Sequence, residues 1–279
     1  MLHPAPRGDD WHFRQSSNPR GCRRLGCLSG SKLTTLPSAI GAVASGSTLF
    51  VGGMLLGRRP VAFCRALAAA GVRGLTIVAF TAGVETEVLL DGGCIAAVRA
   101  CYAGLDLYGP ALGLRAAVES REIRFIDETE LTIAAGLQAT VLGLPWFPCT
   151  RALVGTDYQD LRPDIGRLVD PGSGREMLTL PPIRPDVAVI HAPWADADGN
   201  AILGSALAVD HAAACASAVT IVTAERIVPA NELRALGQAD LLAFQVDHVV
   251  EAPGGARPTA CIPHYECDRE AMVELVEAR

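Results

Sequence analysis

Residues 48–80 read TLFVGGMLLGRRPVAFCRALAAAGVRGLTIVAF. Thr48–Gly53 is a short apolar run closing on a double glycine, the pattern of a buried strand and its turn. Pro60 suits the first turn of a helix, because it lacks only an N–H that has no partner there, and a helix is predicted over Val61–Ala70. Leu75–Phe80 is a second buried strand, ending at Thr81-Ala-Gly83. Strand, helix and strand in this order make a crossover between parallel neighbours.

Outward from this unit the same alternation repeats. Val88–Gly93 reads as a short helix and its stop, Ile95–Tyr102 as a third strand, Ala103–Pro110 as the loop after it, Ala111–Ser120 as a helix and Ile123–Ile126 as a strand. Arg151–Leu180, with Pro163, Pro171, Gly172 and Gly174, is expected to be a surface excursion without a long element. Val187–Ala192, Val219–Ala224 and Val246–Glu251 read as strands. Ala206–Ser217 and Ile227–Leu236 read as helices, and Asp196–Asn200 as a tight turn. Upstream, Ser31–Ile40 reads as a cap and short helix. The fold class expected is α/β, with a doubly wound, mainly parallel sheet. Such sheets bind ligands beyond the carboxyl ends of their strands. Here those loops are Gly52–Pro60, Thr81–Glu87, Ala103–Pro110 and the residue Glu225. Residues 32–279 form one domain. Residues 1–31, rich in Arg, Gly, Pro and Ser without apolar period, are expected to be a disordered tail.

Composition narrows the function. Half of the 279 residues are apolar, and the net charge is −6 with no basic stripe, which argues against nucleic acid. No apolar run reaches membrane-spanning length. Nine cysteines, an odd number without CxxC, fit reduced thiols in the cytoplasm. Cys261, His264 and Cys267 lack a second ligand pair, so no metal site is expected. Ser205 and Ser217 have no G-x-S-x-G setting, so a serine hydrolase is unsupported.

The stretch Ile126–Thr150, IDETELTIAAGLQATVLGLPWFPCT, places acidic residues before a helix. Leu131, Ala134, Ala135, Leu137, Val141 and Leu142 mark its apolar stripe, and Gly143 and Pro145 its end. Asp127 with Glu130 three residues on matches a capping box. Glu130 is therefore either a cap or an active-site acid. Gly52 and Gly53 could turn backbone N–H groups towards an acyl oxygen, or serve close packing. Arg58 and Arg59 could bind a carboxylate or phosphate, or form a solvated pair. Asp106, Tyr108 and Glu85 sit on candidate loops, where an exposed polar residue is the simpler reading. His191 reads as a satisfied core histidine and Glu225 as structural, bound to backbone or Arg226.

Four segments in order carry a family resemblance: Phe50–Pro60, Leu142–Pro148, Asp186–Ala192 with Asp198–Asn200, and Ala252–Thr259. Together they resemble the α subunit of family I CoA-transferases, nearest to that of glutaconate CoA-transferase, over about residues 32–270. The resemblance implies a CoA ester as substrate, no permanently bound cofactor, and a separately encoded β subunit, in an αβ pair or an α2β2 heterotetramer. In the transferases the catalytic glutamate belongs to the β subunit, so a non-catalytic α scaffold is the alternative. The position of Glu130 is commonly Gln in transferase α chains. In the related hydrolase that opens a steroid-derived cyclic β-diketone CoA ester it is Glu, acting as acid/base. The resemblance therefore makes Glu130 the catalytic candidate and Gly52, Gly53, Arg58 and Asp106 the substrate-binding candidates.

Overall fold

The computed structural model describes residues 30–149 and 153–278. The tail expected over 1–31 falls outside this range except for Gly30 and Ser31.

The chain opens with α1 (Leu36–Ile40), β1 (Thr48–Val51), α2 (Val61–Ala69), β2 (Leu75–Ala82), α3 (Val84–Asp91), β3 (Ile95–Ala103), α4 (Leu112–Glu119), β4 (Arg124–Asp127) and α5 (Glu130–Val141). An excursion follows, with β5 (Phe147–Cys149), α6 (Tyr158–Leu161), β6 (Gly166–Val169) and β7 (Glu176–Leu180). The chain then returns through β8 (Val187–Ala195), β9 (Ala201–Ile202), α7 (Asp210–Ala216), β10 (Val219–Ile227), α8 (Ala230–Leu236), β11 (His248–Glu251) and α9 (Arg269–Glu277).

The main sheet runs β11-β10-β8-β1-β2-β3-β4, with all these neighbours parallel and β9 antiparallel on β8. The chain winds from β1 to one edge, then returns to β8 on the other side of β1. The topological switch point thus lies between β1 and β8. Alternation along β1 divides the core. Leu49 and Val51 pack with Phe63, Leu67, Leu89 and Leu114 from α2, α3 and α4. Phe50 points to the opposite face, where Ile133 and Leu137 of α5 meet Ala213 and Ala216 of α7. The apolar runs of the sequence are apolar because both faces of the sheet are covered.

The excursion holds more structure than its sequence suggested. β5, β7 and β6 form an antiparallel sheet whose Cys149, Leu178 and Leu180 pack with Ala135, Leu153 and Ile165. Strands of three to five residues joined at glycines leave no periodic signal. α7 starts at Asp210, four residues later than expected, because Ala206 has φ 56° and cannot begin a helix.

Candidate active site

At the switch point, Gly53 has φ 83°, and a Cβ there would lie 2.5 Å from the Gly57 carbonyl oxygen. A Cβ on Gly52 would lie 2.4 Å from Asp210 Oδ1. Both glycines are required by packing. Their N–H groups are also committed: Gly52 donates to the Val189 carbonyl at 2.9 Å and Gly53 to Asp210 Oδ1 at 2.9 Å. Neither is free for an acyl oxygen, so the oxyanion role expected of them is not supported by this geometry.

Arg58 is corrected in the same way. It is 1% exposed, pairs with Asp210 at 3.1 Å, and donates to the carbonyls of His191, Ser205 and Ala206 at 2.9, 2.6 and 2.8 Å. It ties the loop after β1 to the loop before α7, and this geometry does not support the substrate-binding role. Arg59, also buried, forks onto Glu85 and donates to the Gly53 carbonyl at 2.7 Å. Glu85, read as an exposed loop residue, is fully buried in the first turn of α3, because it answers Arg59 and also accepts from Gly83 N–H at 3.0 Å. These pairs leave the loop rigid, although Leu55 and Arg58 sit at φ 49° and 54°.

The second group lies at the ends of β3 and β4. Thr129, not Asp127, caps α5, and Thr132 completes the capping box: its N–H donates to Thr129 Oγ1 at 3.1 Å while Thr129 N–H donates to its Oγ1 at 2.8 Å. Asp127 is still in β4 and exposed. Glu130 therefore does no capping. It is the first residue of the helix, exposed, and its carboxylate makes no hydrogen bond or ion pair among the described residues. A general base at this position needs partial burial, and this chain alone does not provide it. It lies near Cys101 of β3: burial, followed by the charges of Glu130 and Glu128, pushes the Cys101 thiol up to about 11.

Glu128, two residues earlier, has the opposite environment. It is 6% exposed and pairs with Arg99 of β3 and with Arg162 of the excursion, the latter at 2.8 Å. Thr132 Oγ1 donates to its other oxygen. Asp106 is exposed after β3 at φ 56°, and its carboxylate has no partner among the described residues. Glu130 and Asp106 thus occupy the ends of adjacent strands. The loop after β1 is further off: the ends of β1 and β4 are three strand spacings apart, about 14 Å.

His191 is a satisfied core residue. Its Nδ1 bonds Thr223 at 2.8 Å and its Nε2 bonds Glu225 at 2.7 Å, and burial lowers its pKa. Burial opposes the Glu225 charge, but His191, Tyr265 and the Gly254 N–H hold its carboxyl down to about 2. Its partners are His191, Tyr265 and backbone, not Arg226. Cys261, His264 and Cys267 do not converge: His264 donates to the Pro193 carbonyl at 3.0 Å, while Cys261 lies near His191 and Glu225. Sequence reasoning missed Asp210, Arg99, Tyr158 and Arg162. Arg99 meets Glu128 29 residues away, Tyr158 and Arg162 meet the Asp127 carbonyl 31 and 35 away, and Asp210 meets Arg58 152 away, separations that no local pattern reports.

Residues 33–252 match the family model described as coenzyme A transferase. The chain belongs to the coenzyme A transferase family. A protein of Archaeoglobus fulgidus is 35% identical over 210 residues, 74% of this chain and 46% of that one, so this chain spans less than half of that relative's length. The cholesterol ring-cleaving hydrolase IpdA subunit of Mycobacterium tuberculosis is 31% identical over 88% of each chain. Among solved structures, glutaconate coenzyme A-transferase from Acidaminococcus fermentans superposes with TM-score 0.82 at 28% identity, covering 88% of this chain and 84% of that one. A chain from a variant of the decarboxylase AibA/AibB gives 0.81 at 31% identity, covering 89% and 94%. The doubly wound sheet of this chain is thus the family's own fold.

Proposed function

We propose that this chain is the α-type subunit of a heteromeric enzyme acting on acyl-CoA esters, and that with a separately encoded β-type subunit it hydrolyses a carbon–carbon bond in a cyclic β-keto CoA ester. The observation that carries the hydrolytic reading is Glu130: a free carboxylate at a helix start whose cap is supplied by other residues. The likeness to a ring-cleaving hydrolase subunit over most of both chains supports it. The seven described cysteines are unpaired, which suits the cytoplasm.

In this reaction Glu130 takes a proton from water, and the hydroxide oxygen bonds to the ring carbonyl carbon. The bond from that carbon to the α-carbon of the thioester breaks. Its electron pair passes to the α-carbon, delocalised into the thioester, and Glu130 returns the proton there. The ring opens to a carboxylic acid that is still a CoA ester, and no resident cofactor is required. Asp106, exposed on the adjacent strand end, hydrogen-bonds the substrate in this proposal. The partner subunit covers the site and removes Glu130 from bulk water, which makes its carboxylate a more effective base.

The likeness to glutaconate coenzyme A-transferase favours a second reading, CoA transfer through a carboxylate of the partner. One experiment separates the two. The reconstituted pair is assayed with 2-oxocyclohexanecarbonyl-CoA and water, then with a carboxylate acceptor. Hydrolysis that falls about 10²–10⁴-fold in Glu130→Gln supports the base. Hydrolysis unchanged by that substitution, or transfer without hydrolysis, overturns it.

A further inference from the structure

Glu130 is enclosed in sequence by two residues that bond each other. Thr132 Oγ1 donates to Glu128 Oε2, closing a clamp across the β4–α5 turn with Glu130 at its apex. The clamp is held from two sides. Arg99 reaches Glu128 from β3. Arg162 reaches it from the excursion at 2.8 Å, donates to the Asp127 carbonyl at 2.8 Å, and forks onto Asp164 at 2.8 Å through both Nε and Nη2. Tyr158 adds a bond to the same Asp127 carbonyl at 2.8 Å and lies 3.2 Å from Thr132 Oγ1. Arg162 and the Glu128 side chain are 3% and 0% exposed, and two guanidiniums face two carboxylates.

We propose that Arg162 is a positioning residue: through Glu128 it fixes the turn that aims the Glu130 carboxylate. This rests on the reading of Glu130 as base. Two facts favour it over a purely architectural role. α5 is already capped by Thr129 and Thr132, so its start does not need Glu128 to form. The excursion is already anchored by the apolar cluster of Leu153, Ile165, Leu178 and Leu180, so it does not need Arg162 to attach. The buried ion pairs nonetheless converge on the one turn that carries the free carboxylate. General base catalysis tolerates little misplacement, and an error of about 1 Å costs roughly 10²-fold.

The test is a double-mutant cycle in the reconstituted pair, assayed with 2-oxocyclohexanecarbonyl-CoA. Arg162→Met keeps the apolar stem and removes the charge and donors. It is expected to lower kcat about 10–100-fold with KM within about twofold. In the Glu130→Gln background the same substitution is expected to change kcat by less than about twofold, because the group it aims is gone. Arg162→Lys, which keeps one charged bond to Glu128, is expected to recover part of the rate. If Arg162→Met does not assemble, Thr132→Val opens the clamp from the other side and carries the same expectation. A kcat effect that multiplies fully in the Gln background, or none in the single variant, overturns the positioning role while leaving Glu130 as base. A Glu130→Gln variant with parent activity overturns the base reading and this inference with it.

Discussion

Replacing Asp210 tests how the switch-point loop is held. Its carboxylate is 2% exposed and serves two groups, Gly53 N–H at 2.9 Å and Arg58 at 3.1 Å. Asp210→Ala leaves the Gly53 N–H without an acceptor and the buried Arg58 guanidinium without a countercharge. Removing one partner of a buried pair costs about 3–5 kcal/mol. The three carbonyls that Arg58 also meets place the loss towards the lower end of that range. For a domain of this size each kcal/mol moves the melting temperature by about 2–4 °C, so a drop of about 6–20 °C is expected. Asp210→Asn keeps an acceptor for Gly53 and should lose less, by about 1 kcal/mol or more. The assay is thermal unfolding followed by circular dichroism at matched protein concentration, since a partner subunit would shift the curve by mass action. An Asp210→Ala melting point within about 2 °C of the parent would show that the loop is held by its backbone bonds alone.

Two further outcomes are expected. Burial lowers the His191 pKa in the folded chain, so below about 6.5 the unfolded chain binds that proton more readily and stability falls with falling pH. Glu225 adds a second loss from about 4.5 down to about 2, because its depressed carboxyl resists protonation only when folded. Urea midpoints measured against pH should therefore fall less steeply between 4.5 and 2 in Glu225→Gln, and equal slopes would refute the assignment. Gly136→Val on α5 would set a methyl-bearing carbon where a Cβ already lies 2.6 Å from Ile183 Cγ1 and 3.1 Å from the Pro181 carbonyl oxygen. A loss of about 1–3 kcal/mol is expected from overpacking, and an unchanged melting curve would contradict the close seating of α5 on this segment.

The parallel sheet was legible because its strands are short apolar runs between glycine turns, and burial on both faces demands that composition. The end of α5 was legible because Gly143, at φ 66°, adopts the left-handed conformation that glycine favours past a helix. Its start was misread by two residues. Asp127 and Glu130 match a capping box by type, but β4 continues through Asp127 in register with Ala100, and Thr129 with Thr132 supplies the cap. The arginines were misread for a different reason. Arg58 and Arg59 look available in sequence, because the acids that neutralise them, Asp210 and Glu85, come from distant elements and carry no local signal. A charged residue in a candidate loop reveals its type but not whether its charge is already matched.

That matching divides the carboxyl edge of the sheet into two kinds of group. Arg58 with Asp210, Arg59 with Glu85, and Arg162 with Glu128 are neutralised within the chain and buried, and half-buried Arg99 joins the last of these. They cannot respond to a substrate without breaking a desolvated pair, so their effect is to hold loops in place. Glu130 and Asp106 are left exposed at neighbouring strand ends, beside Tyr102, Leu131 and a Leu107 side chain that is 77% exposed. In water such carboxylates are well solvated, and the apolar side chains around them are unused. An apolar surface laid over that rim would bury the leucines and desolvate the acids in one step, raising the strength of every charge inside. On the function proposed above, the chain supplies the rigid half of a site, a second subunit sets the dielectric of that site, and Glu130 acts only in the pair.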